Sequence, residues 1–352
     1  MESKPFLVQC QGLRAVAFLC IFTSHLLGIS ALGAWGVSAF LVLSGFLMTY
    51  NYLDQADVQS FGIRFASRKV RRLYRLHVVI MVGFFIVGLL WQENIYELTV
   101  KALLHLGLVQ AWVPYMAYYY SLNDVSWYLC ICVFAYACFG PVIRHLRQVR
   151  SRNRIILYLI GIGILELGVA VFAGLFANPD STELLSMHWV TYVCPASRIL
   201  EFLGGCCLGW LYLRNKTVRL TSHPWVMDLC AVCLTGISWI IYTYNVRPLG
   251  DQNIKFALLF LLPSMVLLWS ILRNGILARI LQTKVLVWIG NLSAGAFLIH
   301  GAMISSSRYL LGLLGVSNVA IVAVIAVLST FGLCIIWGRV EKKVTSDPEA
   351  ST

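Results

Sequence analysis

Charged residues are scarce in this sequence. Lys, Arg, Asp and Glu make up 12% of its 352 residues, whereas a soluble domain carries about 25%. Hydrophobic residues make up 59%, and the mean hydropathy is +0.79. The shortage of charge excludes an ordinary soluble protein, and the lack of an alternating polar and apolar pattern excludes a membrane β-barrel. The sequence therefore predicts an all-α integral membrane protein.

Acidic residues are the scarcest charged type. There are 15 Asp and Glu against 27 Lys and Arg, and the formal net charge is +12. In a soluble protein this balance would indicate nucleic acid as a partner. Here the basic residues lie in short segments between apolar runs, so membrane topology explains them and no nucleic-acid partner is expected.

The sequence also lacks a pattern of metal ligands. It has 11 cysteines, nearly all of them within apolar runs. Cys230 and Cys233 form a C-x-x-C inside a predicted helix, without a second such pair. We interpret the cysteines as small buried apolar residues, and we expect no metal site.

Long apolar segments predict about ten transmembrane helices. The predicted spans are 9–30, 34–52, 76–92, 124–143, 155–177, 190–213, 224–244, 253–272, 285–311 and 316–338. The mixed segment 99–118 is predicted to be interfacial or re-entrant, because it is shorter and contains Lys, His and Pro. Residues 1–340 are interpreted as one multipass domain, followed by a short cytoplasmic tail at 341–352.

The distribution of Lys and Arg predicts the orientation. With both termini cytoplasmic, the inner segments hold 21 of these residues and the outer segments hold four. Cytoplasmic loops carry an excess of positive charge. The sequence therefore predicts a multi-pass protein of the cell (cytoplasmic or inner) membrane with both termini inside.

Two ionisable residues, Arg14 and His25, lie inside the first apolar segment. An ionisable side chain in a membrane helix costs roughly 2.5–3.5 kcal/mol on insertion scales, so it commonly has a function. Their spacing corresponds to roughly 16 Å along a helix, about half of the hydrocarbon core. A cation near one face and an imidazole deeper in the membrane predict chemistry across it, with His25 as a general base. A helix-packing histidine is the structural alternative.

The second span carries small residues at Gly33, Gly36, Ser44 and Gly45. Small residues let membrane helices approach closely. Because the connecting loop is short, this seam is predicted to bring the second helix against the first.

A cluster of six basic residues follows the second span, between positions 64 and 75. Arg72 and Arg75 are three apart and therefore share one helix face. Guanidinium groups bind phosphate oxygens in a bidentate manner. We assign binding of a phosphorylated cosubstrate to Arg68, Arg71, Arg72 and Arg75. A topology signal and contacts with anionic lipid headgroups are the alternatives.

Two further spans contain polar residues. Arg198 and Glu201 are three apart in the sixth span and are predicted to pair. Helical rise places Glu201 at a depth similar to that of His25, so the two are candidates to line one cavity, and a purely structural ion pair is the alternative. His300 lies towards the outer end of the ninth span and, taken alone, is interpreted as interfacial.

Together these segments resemble the acyltransferase family three of multipass membrane enzymes, which O-acylate cell-surface polysaccharides and related glycans. Six motifs match in the family order over most of the chain. They are the Arg-x10-His pair Arg14 and His25, the Gly-Val to Ser-Gly-Phe pattern of residues 36–46, the Arg-Arg-x-x-Arg of Arg71, Arg72 and Arg75, the block with Asn123 and Trp127, the Arg-x-x-Glu-Phe run from Arg198 through Glu201, and the ending from Ser293 to His300.

The resemblance implies an O-acetyltransferase that uses acetyl-CoA, or a close acyl-CoA, as cosubstrate. It implies that His25 and Arg14 are catalytic. It also implies an acceptor site or cavity formed by Asn123, Trp127, Arg198, Glu201, Ser293 and His300. The implied partners are acyl-CoA, a glycan or lipid-linked saccharide, and membrane lipids. The residues leave open whether His25 acts as a base or carries the acyl group, and they leave the oligomeric state open.

The chain departs from the family pattern at three positions. Gln11 stands where many members have Asp, Val78 where they have Pro, and Cys132 where some have Glu. These departures place the chain in a divergent branch and leave the acceptor open. A transporter or flippase of a lipid-linked glycan would also use intramembrane His, Arg and Glu, and is the alternative function.

Overall fold

The computed structural model describes residues 4–55, 61–214, 223–244 and 257–346, and its α-helices in these ranges are numbered along the chain. They are α1 (Val8–Leu27), α2 (Ser30–Tyr52), α3 (Ile63–Leu90), α4 (Ile95–Leu106), α5 (Met116–Tyr119), α6 (Trp127–Gln148), α7 (Arg152–Phe176), α8 (Pro195–Arg214), α9 (Pro224–Tyr244), α10 (Leu261–Ile271), α11 (Ile276–Leu281), α12 (Lys284–Leu313) and α13 (Val319–Ser346). The described residues contain no strand, which confirms the predicted all-α class.

Eight helices in the described ranges are long and apolar enough to cross a membrane: α1, α2, α3, α6, α7, α9, α12 and α13. The predicted sixth span forms α8, whose Arg198 and Glu201 lower its mean hydropathy. The predicted eighth span is described only from residue 257, where a 3-10 turn at Ala257–Phe260 leads into the 11 residues of α10. Eight of the ten predicted spans therefore meet the requirements of length and composition.

The mixed segment 99–118 forms no continuous span in the structure. It consists of most of α4, a 3-10 turn at Gln110–Trp112 and the start of the four-residue α5. A turn at residues 107–108 and a bend at residues 113–114 separate these pieces. This agrees with the prediction that the segment does not cross the membrane as one helix.

Helix α2 lies at the centre of the bundle. In its most apolar stretch 78% of the residues are buried, compared with 17% in α7, whose apolar side chains face outwards. On one side α2 packs against α1, because a Cβ on Gly36 would lie only 2.6 Å from the carbonyl oxygen of Ala17. The predicted seam between the first two helices is confirmed at this position.

Glycines also bring α2 against α8 and α1 against α12. A Cβ on Gly45 would overlap the carbonyl oxygen of Phe202, and one on Gly205 would overlap that of Val42. Gly290 of α12 lies in the same way against the backbone of Gln11. Such direct backbone contacts need residues without a side chain. Four helices (α1, α2, α8 and α12) therefore form a tightly packed inner group.

The cysteines form no disulfide, and all 11 are within the described residues. Cys10, Cys130 and Cys206 are buried among apolar side chains, as predicted. Cys230 and Cys233 differ from the prediction, since both are exposed on the outer surface of α9. Their spacing on a peripheral helix turns both thiols away from the bundle.

Candidate active site

His25 lies in the last turn of α1, at the opposite end of that helix from the start of the chain. The helix ends at Gly28, which has a left-handed conformation with φ of 74° and donates its N–H to the carbonyl of Ser24. Arg308 of α12 donates to the carbonyl oxygens of His25 at 3.3 Å and of Leu26 at 2.7 Å. A cation that binds the last carbonyls of a helix stabilises its end, so His25 stands on a well-supported turn.

The ring of His25 meets the ring of His300 edge to face, with 4.9 Å between the ring centroids. His300 is fully buried. Its Nδ1 lies 2.6 Å from the carbonyl oxygen of Phe297, and since a carbonyl only accepts, Nδ1 carries the hydrogen. Its Nε2 is buried and has no hydrogen-bond partner among the described residues. His300 is therefore a buried neighbour of His25. The interpretation of His300 as an interfacial residue, made from its position in the span alone, is wrong.

Asp124 is the acidic group that interacts with His25, while Arg308 is the nearby basic group. Asp124 opens a 3-10 turn, Asp124–Ser126, just before α6. Its Oδ1 lies 2.7 Å from the position that a Cβ on Gly301 would occupy, next to His300. The absence of a side chain at Gly301 thus makes room for the carboxylate beside the two histidines.

The turn that carries Asp124 is fixed by a buried hydrogen-bond network. Ser126 Oγ donates to the carbonyl of Asn123 at 2.7 Å and receives a hydrogen bond from Gln110 Nε2 at 3.0 Å. Nδ1 of His105, from α4, lies 3.2 Å from the same hydroxyl. Burial and the neighbouring His77 lower the pKa of His105 to about 4. The short helices of the non-spanning segment therefore support the turn at the site.

His25 faces a cavity of about 490 Å³, which we call the His25 cavity. Its lining is polar and aromatic, and it consists of Ser24, His25, Ser30, Tyr120, Pro179, Ser181, Met187, His188, Thr191, Tyr192 and Tyr242. The two ring nitrogens of His188 are 3.3 Å from the hydroxyls of Tyr119 and Tyr120. Hydroxyl groups and aromatic faces without a carboxylate in the described lining suit a neutral, hydroxyl-bearing ligand.

Arg14 lines a second cavity, of about 200 Å³, which we call the Arg14 cavity. Its walls come from α1, α2, α3, α6 and α12. Among the described residues no carboxylate pairs with Arg14, and the other cation in the lining is Lys69, 4.9 Å above the Tyr52 ring. Ser44 and Tyr136 are hydrogen-bonded across the cavity at 2.8 Å. Two cations without a matching acid favour an anionic ligand.

The two cavities lie at opposite ends of α2. The Arg14 cavity reaches Asn51 and Tyr52 at the end of the helix, and the His25 cavity reaches Ser30 at its start. The 23 residues of α2 span roughly 34 Å. Four rings separate the cavities, and we call this group the aromatic partition: Phe40, Tyr128, Phe297 and His300. Phe297 lines the Arg14 cavity, and its ring centroid is 5.6 Å from that of His300.

The predicted arginine cluster lies on the first turns of α3, at the end of the bundle where α2 stops. We call this the arginine-rich end. Arg68 and Arg71 are exposed on the helix surface. Arg72 and Arg75 share one face as predicted, but both pair with Glu341 of α13, at 2.5 and 3.1 Å. Of the basic residues in this cluster, Lys69 lines the Arg14 cavity.

Arg198 and Glu201 form a fully buried ion pair at 2.9 Å, and Arg198 also reaches Ser38 at 3.4 Å. The guanidinium lies 5.5 Å from the ring centre of Tyr192, which lines the His25 cavity. Tyr192 thus separates the ion pair from the cavity. The interpretation that Glu201 and His25 line one cavity is wrong, because similar depth along two helices does not fix the faces that they present.

Three further predicted residues are buried behind the cavities. Trp127 packs on Tyr192 with 4.9 Å between ring centroids. Asn123 is fully buried, and neither its amide oxygen nor its amide nitrogen has a partner among the described residues. Ser293 donates to the carbonyl of Gly290 within its own helix at 2.7 Å. These residues lie around the site, and none of them lines either of the two cavities.

Sequence reasoning missed Asp124, Lys69 and His188. Asp124 is adjacent to the predicted Asn123, and an acid next to a motif residue was an available signal. Lys69 lies within the basic cluster, where only helix phase distinguishes a cavity residue from its exposed neighbours. His188 lies in a short helical turn directly before the π-helical turn Trp189–Val193, between α7 and α8, and the sequence does not indicate the position of that turn.

The fold and these two cavities define a multi-pass helical membrane protein with a histidine site at one end. Towards the other end lies an arginine that pairs with no carboxylate in the described part of the chain. The chain belongs to the acyltransferase family whose model, described as an acyltransferase domain, matches residues 9–338. This confirms the family that the six motifs predicted.

Two curated relatives illustrate the similarity. The chain is 27% identical over 330 residues to the acyltransferase MdmB of Streptomyces mycarofaciens, covering 86% of this chain and 80% of that protein. It is 26% identical over 320 residues to the peptidoglycan O-acetyltransferase OatA of Listeria monocytogenes, covering 86% of this chain and 50% of that protein. This chain thus spans about half the length of OatA. No solved structure matches.

Proposed function

We propose that this protein is a membrane-bound O-acyltransferase, most simply an O-acetyltransferase. It moves the acyl group of a cytoplasmic acyl-CoA to a hydroxyl of a cell-surface or lipid-linked glycan. The observation that carries this proposal is the pair of cavities at opposite ends of α2, which are separated by the aromatic partition beside His25. Family membership supports the acyltransferase class.

The donor binds in the Arg14 cavity. Lys69 lies near its mouth and meets the phosphates, while Arg14 binds a carbonyl or anionic group of the donor further in. Arg68 and Arg71 are exposed on the adjoining helix surface and meet the nucleotide outside the cavity. The ion pairs of Arg72 and Arg75 with Glu341 anchor α3 to α13, and these two residues bind the donor only if those pairs open.

The acceptor hydroxyl binds in the His25 cavity, where the polar and aromatic lining suits a sugar. The thioester reaches His25 past the partition, and this requires rotation of Phe297. His25 takes the hydroxyl proton, the acceptor oxygen bonds to the acyl carbon, and the carbon–sulfur bond breaks. The proton then passes to the departing thiolate, so that free CoA leaves. In the alternative route His25 carries the acyl group between the two half-reactions.

The orientation follows from the chemistry. Acyl-CoA is cytoplasmic, so the arginine-rich end faces the cytoplasm and both termini lie there. The 21-to-4 distribution of Lys and Arg supports this orientation in the cell membrane. The variants Ser67→Cys and Ser181→Cys, each in a background in which the exposed Cys230 and Cys233 are replaced by Ser, test it. We expect an impermeant maleimide added to intact cells to label position 181 and to leave position 67 unlabelled.

A transfer assay tests the function. Membranes that contain the protein are incubated with radiolabelled acetyl-CoA and a glycan acceptor, and base-labile label in the glycan is measured. We expect transfer with the natural protein and none with His25→Ala membranes of equal protein content. A transporter or flippase would move the glycan or donor without transferring label, and that result would reject the proposal.

A further inference from the structure

A third cavity, of about 590 Å³, lies at the arginine-rich end on the other side of α2; we call it the basic cavity. Its lining residues are Lys4, Pro5, Tyr50, Asp54, Tyr212, Leu213, Arg214, Trp269, Leu272 and Arg273. Asp54 is the one carboxylate in this described lining, and it bridges Lys4 at 2.9 Å and Arg214 at 2.7 Å. The three cations therefore exceed the acid by two charges, and Arg273 has no carboxylate partner among the described residues.

Two hydrogen-bond donors in this cavity have no acceptor. The guanidinium of Arg273 lies 5.3 Å from the ring centre of Trp269. Arg273 Nη2 and Trp269 Nε1 are both buried without a hydrogen-bond partner among the described residues, and Trp269 is only 8% exposed. Buried polar groups are nearly always paired. A ligand with acceptor oxygens at this point would pair both N–H groups.

An apolar groove of about 180 Å³ begins at the same tryptophan. Besides Trp269 and Arg152 its lining is aliphatic, with Ile156, Leu208, Leu211, Met227, Leu262, Met265 and Val266. The groove runs between α7, α8, α9 and α10. Trp269 therefore joins a basic, donor-rich cavity to a groove that suits a hydrocarbon chain.

We propose that these two surfaces form one binding site for an anionic phospholipid. Phosphate oxygens accept hydrogen bonds from Arg273 and Trp269, and an acyl chain lies in the groove against Leu208 and Leu262. Excess positive charge at the membrane surface attracts anionic headgroups. The site shares no lining residue with the Arg14 and His25 cavities, so it does not depend on the proposed transfer reaction.

Native mass spectrometry of the delipidated full-length protein in detergent tests the site, with lipid added by titration. We expect dioleoylphosphatidylglycerol, which has one net negative charge, to bind at least about tenfold more tightly than dioleoylphosphatidylcholine, because the choline cation cancels the phosphate charge and is repelled by the excess positive charge of the basic cavity. Arg273→Gln should remove most of this preference. Arg279→Gln deletes an exposed arginine near the same end of the bundle, outside the cavity, and should retain it.

Two further variants separate the parts of the site and guard against misfolding of the Arg273 variant. Trp269→Phe keeps the ring and removes only the N–H, so it should weaken phosphatidylglycerol binding while the protein remains monodisperse. Leu262→Trp fills the exposed side of the groove and should weaken the binding of both lipids. If Arg273→Gln and Trp269→Phe both bind phosphatidylglycerol as the natural protein does, the proposal is rejected.

Two soluble probes distinguish the source of the phosphate. Glycerol 3-phosphate carries the headgroup phosphate without chains, and adenosine 3′,5′-bisphosphate carries the 3′-phosphate and the adjoining 5′-phosphate of an acyl-CoA. We expect both to bind far more weakly than the lipid. Binding of glycerol phosphate as tight as that of the lipid would make this a free-phosphate site. Binding of the bisphosphate that is lost in Arg273→Gln would assign the cavity to the donor, and either result would overturn the lipid assignment.

Discussion

His25 and His300 lie 275 positions apart in the sequence, and their rings are in contact, edge to face, at 4.9 Å. One ring lines a polar cavity and the other is buried in the aromatic partition. The contact is made possible by α1 and α12, whose backbones touch at Gln11 and Gly290. The proposed base therefore lines one cavity and is linked, through His300, to Phe297 in the wall of the other.

The first prediction concerns His25. His25→Ala should abolish transfer, because general acid–base assistance contributes roughly 10²–10⁴-fold. His25→Gln keeps size and some hydrogen bonding but cannot take up the proton, so it should also be inactive. His300→Ala should lower the rate of transfer less than either His25 variant does. Rates are measured in purified proteoliposomes at equal protein content, and a His25→Ala enzyme with more than about a tenth of the natural rate would contradict the assignment.

The second prediction concerns Asp124 as the residue that orients His25. Asp124→Asn should lower kcat by at least about tenfold, but by no more than the loss of His25 itself. Gly301→Ala leaves the carboxylate chemistry intact and displaces it, so it should lower kcat as well. Glu183→Gln removes an exposed acid in the loop that follows α7, outside the cavity lining, and serves as the control. An unchanged pH–rate profile in Asp124→Asn would leave Asp124 a purely structural residue.

The third prediction concerns the donor. Arg14→Ala and Lys69→Ala should raise the KM for acyl-CoA by the equivalent of roughly 1.5–3 kcal/mol, and the KM for the acceptor much less. Arg14→Lys should restore the KM for acyl-CoA only in part, since Lys lacks the planar, forked guanidinium group of Arg. Arg64→Ala is the matched control, because Arg64 is an exposed arginine of the same helix with no proposed role in donor binding. An equal rise in Arg64→Ala would show that the change in KM reflects loss of surface charge and not of the cavity contacts.

The fourth prediction concerns the buried ion pair. Glu201→Gln leaves the Arg198 guanidinium without its counter-charge in a fully buried position. Loss of one partner of such a pair typically costs about 3–5 kcal/mol. The thermal midpoint in detergent should fall sharply, and Arg198→Met combined with Glu201→Gln should recover part of the loss. Equal stability of the single and double variants would show that the remaining charge finds solvent.

The fifth prediction concerns stability at low pH. The pKa of His105 is lowered from 6.5 to about 4 by burial and the nearby His77. Between pH 6.5 and about pH 4 this histidine binds a proton in the unfolded chain but not in the folded protein. Stability is therefore full above pH 6.5 and falls as the pH drops towards 4, by up to about 3 kcal/mol. His105→Gln should flatten this slope in thermal unfolding; an unchanged slope would assign it to other groups.

Much of the fold was predictable, because a long apolar run in the sequence predicts a membrane-spanning helix. The predictions failed where phase or depth mattered more than hydropathy. Arg72 and Arg75 share a helix face as spacing requires, but only tertiary structure shows that Glu341 occupies that face. Glu201 has a depth similar to that of His25 but points at Arg198, away from the cavity.

Part of the candidate site was also predictable from the pattern of hydropathy. Arg14 and His25 stand out because charge is rare in apolar segments. Asp124 and Lys69 do not stand out, since one begins a short turn and the other is one of six neighbouring cations. Their roles depend on helix rotation and on a turn held by Ser126 and His105, which no local pattern encodes.

The glycine contacts between α2 and α8 have a consequence for how substrates enter. Alternating access needs helices to rock or slide past one another, and backbones in direct contact at Gly45 and Gly205 resist both movements. The inner helices then act as a fixed frame, and the connection between the two cavities opens by rotation of single side chains such as Phe297. Under the proposed function, acyl-CoA and the acceptor would then enter from opposite sides, and neither would be carried across the membrane.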